Sequence, residues 1–110
     1  MDAVIPDYAD DVLSVVESIP PGAVMTYGDV ARHVGRGGPR QVGRVMALYG
    51  AAVCWWRVVR ADGDFLPGKA AVVLECYRKE GTPLRGGDAA RVRIDMTRAR
   101  WAPEPRSEQE

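Results

Sequence analysis

The chain has 110 residues, a formal net charge of zero, 46% hydrophobic and 27% charged residues, which is ordinary globular composition for one small domain. It contains no run of about 18 apolar residues and so no expected membrane span, and two cysteines with one histidine (Cys54, Cys76, His33) exclude a disulfide framework and a Cys/His zinc set. The N-terminal stretch lacks the basic and apolar regions of a secretory signal, so a soluble, reduced, cytoplasmic protein is the expectation.

Residues 7–19 read as a helix. Asp7 follows Pro6 and can cap it, acids fill its first turn, and Tyr8, Val12, Val15, Val16 and Ile19 share one face. Pro20-Pro21-Gly22 stops it, and Val24-Met25-Thr26 is short and extended. Thr26 opens a second helix with a capping-box pattern, Asp29 standing at the fourth position. Val30, Ala31 and Val34 follow, and Gly35 ends it. Arg36-Gly37-Gly38 reads as a flexible turn. Pro39 suits the first position of a third helix, in which Val42, Val45, Met46 and Tyr49 form a core-facing stripe and Arg40, Gln41 and Arg44 face solvent. Gly43 costs that helix about 1 kcal/mol against Ala, which makes sense where something approaches closely; Gly50 closes the helix.

Residues 51–60 read as a loop and then a short strand, and 61–64 as a turn. Ala70, Val73, Leu74 and Tyr77 define a fourth helix, with Gly81 after its end. Val92, Ile94 and Met96 alternate with polar residues as in a short extended segment. Trp101 is placed to pin the chain back onto the core, and the polar residues 103–110 are expected to be disordered. The fold expected is α+β, mostly helical, a single winged-helix-like domain over residues 1–102 built around a helix-turn-helix.

The zero net charge hides a segregation. Residues 1–29 carry six acids and no Lys or Arg, residues 30–61 carry six arginines and no acid, and residues 62–110 carry nine of each sign. An all-arginine middle third is either a phosphate-binding surface or a solvated basic face set against the acidic first helix. Two short helices joined by a glycine turn, the second presenting Arg40, Gln41 and Arg44, match a helix-turn-helix, whose second helix meets the bases. Beside the arginines stand adjacent tryptophans, Trp55 and Trp56, which serve either as buried anchors or as faces on which a base stacks.

At these residues the sequence resembles a family. Ile19-Pro20-Pro21-Gly22 followed by Val24-Met25-Thr26-Tyr27-Gly28-Asp29-Val30-Ala31 is similar to the start of the DNA-binding domain of O6-alkylguanine-DNA alkyltransferases. Arg40-Gln41-Val42-Gly43 resembles their recognition-helix signature, usually Arg-Ala-Val-Gly. Trp55-Trp56-Arg57-Val58-Val59 stands where they have Cys-His-Arg-Val-Val, and Asp62-Gly63 and Glu80-Gly81 fall near their expected places. The resemblance covers residues 7–81. In that family a cysteine thiolate takes the alkyl group and a histidine-bound water with a glutamate activates it. Here Trp55 occupies the cysteine position and Trp56 the histidine position, as in the alkyltransferase-like proteins, which transfer nothing. The usual form there is Pro-Trp-His-Arg, so Cys54-Trp55-Trp56-Arg57 departs further. Glu80 matches the glutamate position and, with no histidine to act on, reads as a surface residue.

The resemblance implies a non-enzymatic sensor that needs no cofactor or metal. It would bind the minor groove of double-stranded DNA, flip O6-alkylguanine into a Trp-lined pocket and mark it for nucleotide excision repair proteins. It implies DNA contacts at Tyr27, Arg40 as the finger that fills the emptied stack, Gln41, Gly43, Arg44 and Arg57, and a lesion pocket of Tyr27, Trp55, Trp56 and Lys69. Trp56 is either a pocket wall or a filler of the histidine's space, and Arg57 either touches DNA or holds its loop. The Asn-Pro before the family's active loop is absent, Tyr49-Gly50-Ala51-Ala52 standing there, and the connection is about two residues shorter. A monomer is expected, nucleoid-associated in a bacterium. Two other functions compete. One is alkyl transfer to Cys54, which an extended segment would turn away from the pocket; the other is a major-groove regulator, which would need a dimer. Cys54 and Cys76 read best as buried small hydrophobes.

Overall fold

The computed structural model describes residues 7–63, 70–86 and 92–103. Lys69, the segment around it and the tail from residue 104 lie outside the described residues. The elements run in the order α1 (Asp7–Ser18), β1 (Met25–Thr26), α2 (Tyr27–Val34), α3 (Pro39–Tyr49), two 3-10 turns (Gly50–Ala52 and Trp55–Arg57), β2 (Val58–Val59), α4 (Ala70–Glu80), β3 (Leu84–Arg85), β4 (Arg93–Ile94) and a helical turn α5 (Met96–Ala99).

Helix α1 buries Ala9, Val12 and Val16 and exposes Asp7, Asp10, Asp11 and Glu17, so its acids stand in solvent and two of them, Asp7 and Asp10, favour its N-terminal dipole. Asp7 is already helical. Thr26 caps α2: its hydroxyl accepts from the Asp29 amide at 2.9 Å, and the Asp29 carboxylate accepts from the Thr26 amide at 3.1 Å. The Asp29 side chain, 4% exposed, also receives Arg100 at 2.6 and 2.9 Å, which ties the end of the described chain to the start of α2. The turn between α2 and α3 is a packed joint. Gly37 has φ of +75°, and a Cβ there would overlap the Tyr8 ring of α1. Arg36 reaches back over the same ring and pairs with Asp11 at 2.6 Å. The glycine is therefore required twice, by backbone conformation and by space.

A parallel pair of two-residue strands divides the interior. Met25 pairs with Val58 and Thr26 with Val59. Strand residues alternate sides, so Met25 and Val58 enter one core with Val12, Val16, Ile19, Val30 and Val42, whereas Val24 and Val59 enter a second with Val73, Tyr77 and Ile94. Each fully buried valine contributes roughly 1.5–3 kcal/mol. The antiparallel pair β3–β4, in register Leu84 to Ile94 and Arg85 to Arg93, caps the second core. Trp101 packs on the first, its amide donating to the Val24 carbonyl at 2.7 Å.

The alternation expected through Met96 stops at Ile94. The Asp95 carbonyl accepts from the Arg98 and Ala99 amides, at 3.0 and 2.8 Å, and turns the chain into α5. Gly50 closes α3 as expected, as its C-cap, but it keeps right-handed helical geometry and the chain runs directly into the first 3-10 turn.

Two outcomes follow. Gly37→Ala should destabilise the free protein by at least about 1–2 kcal/mol, from the left-handed backbone alone, read as a lower midpoint in urea. Arg100 holds the Asp29 carboxyl below the ordinary carboxylate range, against the opposing effect of burial and with help from Thr26. A depressed folded-state pKa stabilises the fold above the unfolded value, and that stability is lost as pH falls through the folded one. Unfolding midpoints should therefore hold above about pH 4 and decline below it, and Asp29→Asn should flatten the decline.

Candidate functional site

A cleft of about 440 Å³ opens beside α3, within the usual size of a small-molecule site. Tyr27, the first residue of α2, and Trp55, from the second 3-10 turn, supply its aromatic walls. Gly43, Met46 and Ala47 of α3, with Gly50 and Ala51 beyond it, supply the rest. The lining carries no charged side chain among the described residues. The small residues come from helical spacing: 40, 43, 44 and 47 share one side of α3, and Val42 and Val45 occupy the buried side. The glycine and alanine on the open side leave room, and a Cβ at Gly43 would meet nothing within 4 Å.

Arg40 and Arg44 flank that small-residue row and are exposed, and neither has an ion-pair partner among the described residues. Gln41 is exposed but employed: its Oε1 accepts from the Gly38 amide at 3.0 Å and so closes the N-terminus of α3. Arg60, not singled out in the sequence, lies near enough to Tyr27 that its charge lowers the phenol pKa, although burial dominates and raises it overall. The four-residue Arg-Val-Val-Arg spacing around β2 was the available signal.

Within the stretch read as a loop and then a short strand, Trp55–Arg57 form a 3-10 turn ahead of β2, and Cys54 stands just before that turn and not in an extended segment. Side chains in such a turn leave about 120° apart, so three consecutive residues go three ways. Trp55 enters the cleft. Trp56 turns towards α4, its Nε1 donating to Glu80 Oε2 at 3.0 Å, and it does not line the cleft. Arg57 donates from Nε and Nη2 to Glu80 at 3.1 and 2.6 Å and from Nη1 to the Ile19 carbonyl at 2.9 Å. The Arg57 and Glu80 side chains are 12% and 13% exposed. Glu80 is thus no surface residue, as the sequence suggested, but the centre of an internal ion pair, and Arg57 holds its loop. Burial raises the Glu80 carboxyl, and hydrogen bonds from Arg57, Trp56 and the Gly22 amide outweigh it, leaving the pKa lowered. Gly22, φ +90°, permits this approach: a Cβ there would meet the Glu80 carbonyl oxygen at 3.0 Å.

Cys54 and Cys76 are half-buried free thiols. Cys54 precedes the turn and is not part of the cleft lining. His33, on α2, is half-buried and also outside the lining. No helix among the described residues is long and apolar enough to cross a membrane.

The family model for the DNA-binding domain of 6-O-methylguanine DNA methyltransferase matches residues 7–81. Among curated proteins none matches the chain. Among solved structures the chain is similar to S. pombe Atl1 in complex with damaged DNA containing O6-carboxymethylguanine, at TM-score 0.75 and 25% identity, covering 91% of this chain and 99% of that one. It is similar to S. pombe ATL in complex with DNA, at TM-score 0.71 and 27% identity over the same shares. M. tuberculosis O6-methylguanine methyltransferase shares the fold at TM-score 0.57 and 23% identity, over 81% of this chain and 56% of that longer one. These likenesses bear out the alkyltransferase-like, helix-turn-helix fold expected from the sequence.

Because the added methyl has open space, Gly43→Ala should stabilise the free protein by about 1 kcal/mol, raising Tm by roughly 4–8 °C for a domain of this size, measurable by calorimetry.

Proposed function

The chain belongs to the family of the 6-O-methylguanine DNA methyltransferase DNA-binding domain, and on that footing we propose that it is a sensor of alkylated DNA that repairs nothing itself. It binds duplex DNA in the minor groove through α3 and flips O6-alkylguanine into the cleft. It holds the base against Trp55 and leaves the marked site to nucleotide excision repair proteins. The observation that carries the reading is that Trp55 lines the cleft together with Tyr27; the sequence resemblance sets Trp55 where the related enzymes have their cysteine.

The chemistry follows from that wall. Alkyl transfer needs a thiolate, and a thiolate needs a base or positive neighbours. An indole offers a polarizable stacking face and no nucleophile. Glu80, which in the enzymes works through a histidine, is here taken up by Trp56 and Arg57. Extruding a base costs a few kcal/mol, least for a damaged and badly paired one, and stacking on an aromatic ring returns roughly 1–3 kcal/mol per base. The exposed Arg40 and Arg44 supply sequence-independent attraction to phosphates. Arg40 is also suited to the emptied stack, because its guanidinium is planar and carries five donors. The S. pombe Atl1 complex with DNA containing O6-carboxymethylguanine supports the choice of ligand. A lesion that is held and not reversed has to be passed to another repair process, and the resemblance to the alkyltransferase-like proteins points to nucleotide excision repair.

The test compares two short duplexes, one with O6-methylguanine and one with guanine, at fixed salt. The wild type should prefer the lesion. Trp55→Ala should reduce that preference by about tenfold, as expected for one lost stacking partner, while plain-duplex binding stays close to wild type. Arg40→Ala should weaken binding to both. Intact mass after incubation with excess lesion should be unchanged. A gain of one methyl group, mapped to Cys54, would make the protein an enzyme and overturn the reading.

A further inference from the structure

We propose that Glu80 is a positioning residue for lesion recognition: through Trp56 and Arg57 it fixes the angle at which the Trp55 ring faces the cleft. This rests on the reading of the cleft given above and adds to it a residue outside the cleft. Trp55 sits in a turn of only three residues, Trp55–Arg57, set between a loop and a two-residue strand. The turn closes only two backbone bonds of its own, from the Arg57 amide to the Cys54 carbonyl and from the Val58 amide to the Trp55 carbonyl, so packing against its neighbours does much to fix where its side chains lie.

Those neighbours come mainly from one helix face. Trp55 meets Trp56 edge to face, centroids 5.8 Å apart and planes at 81°. The direction of the Trp55 ring is therefore tied to where Trp56 lies. Trp56 is held at both ends from α4, by Glu80 Oε2 on its indole nitrogen and by the Tyr77 hydroxyl donating to its carbonyl at 2.7 Å. Arg57 lies 5.9 Å from the Trp56 ring centroid and is itself clamped by Glu80 and by the Ile19 carbonyl. The Gly22 amide, 3.4 Å from Glu80 Oε1, ties the carboxylate to the end of α1. One carboxylate thus takes donors from three residues at two separate places in the chain, Gly22 and the Trp56–Arg57 pair, and the part of the assembly that reaches the cleft is Trp55.

An apolar plug could fill this volume. What directed charge-assisted hydrogen bonds add is angle, since they weaken steeply out of line. A flipped base stacks well only on a ring whose face lies parallel to its own, so a change in the tilt of Trp55 set through Trp56 translates into preference for the lesion. Plain-duplex binding, carried by the arginines of α3, does not depend on that angle.

Trp56→Phe tests this. It keeps an aromatic ring and the Arg57–Glu80 pair, and removes the indole donor to Glu80 together with part of the ring system. The ratio of affinities for the O6-methylguanine and guanine duplexes should fall about 3- to 10-fold, the scale of one lost hydrogen bond, with guanine-duplex affinity unchanged. A role in stability alone would lower the folded fraction and reduce both affinities together, leaving the ratio where it was. Glu80→Gln should lower the ratio at least as far; where that variant does not fold, Trp56→Phe decides. Should Trp56→Phe keep the full ratio while Trp55→Ala loses it, Glu80 is structural only and the proposal falls, with the cleft assignment intact. Should Trp55→Ala keep the ratio as well, the cleft assignment falls and takes this inference with it.

Discussion

A half-buried carboxylate at the end of α4 has to be satisfied, and the way Glu80 is satisfied organises the rest of the molecule. Taking two charges out of water costs several kcal/mol per ion, and removing one partner leaves the other stranded at about 3–5 kcal/mol. Here the Glu80 oxygens receive the Arg57 fork, the Trp56 indole and the Gly22 amide, and the remaining Arg57 nitrogen goes to the Ile19 carbonyl. The end of α1, the turn with both tryptophans and the end of α4 are thereby held to one point. That point lies where the two hydrophobic cores meet, since Val58 and Val59, directly after Arg57, enter opposite ones.

The helix-turn-helix depends on a second buried carboxylate in the same manner. Asp29 closes the first turn of α2 from inside and receives Arg100 from outside. Tyr27, two residues before it, is thereby fixed at the cleft. The α2–α3 turn is seated on the Tyr8 ring, with Arg36 drawn back to Asp11. This pairing shows how the segregated charge is used. Arg36 answers the acidic helix and Arg57 answers Glu80, while Arg40 and Arg44 remain on the open side of α3 beside a row of small residues. The surface left for an anionic partner is smaller and better defined than the composition of the middle third suggests.

Local rules made most of the scaffold legible. The Thr26–Asp29 capping box, Pro39 at the start of α3, the Val42 and Val45 stripe and the Val73, Leu74 and Tyr77 face of α4 all lie within a few residues of their causes. Trp101 was legible too, because a lone tryptophan near a polar end has few places to go but the core. What the sequence hid is long-range or very short. Glu80 lies 23 residues from Arg57 and Arg100 lies 71 from Asp29, and no periodicity connects them. Three-residue turns carry too few positions to show a period, so the loop and short strand read over residues 51–60 did not reveal the turn at Trp55–Arg57. The same shortness hid the bend at Asp95, where alternation through Val92 and Ile94 extrapolated one step too far. Recognition of the family supplied Trp55 as the reading face, but it also carried over a glutamate without its histidine and left Glu80 without a task that the folded chain gives it.

In the function proposed, an alkylated guanine leaves the helix, lies against Trp55 and stays unreacted. The most direct measurement is the NMR signal of a duplex carrying O6-methylguanine with a 13C-labelled methyl group, titrated to saturation with the protein. A single bound methyl resonance should appear, shifted upfield by the indole ring current, still attached to oxygen after prolonged incubation and returned to its free position when competitor DNA strips the protein away. A methyl signal that does not move at saturation would contradict the flipped base, and one that converts to a thioether methyl would contradict a protein that does not react.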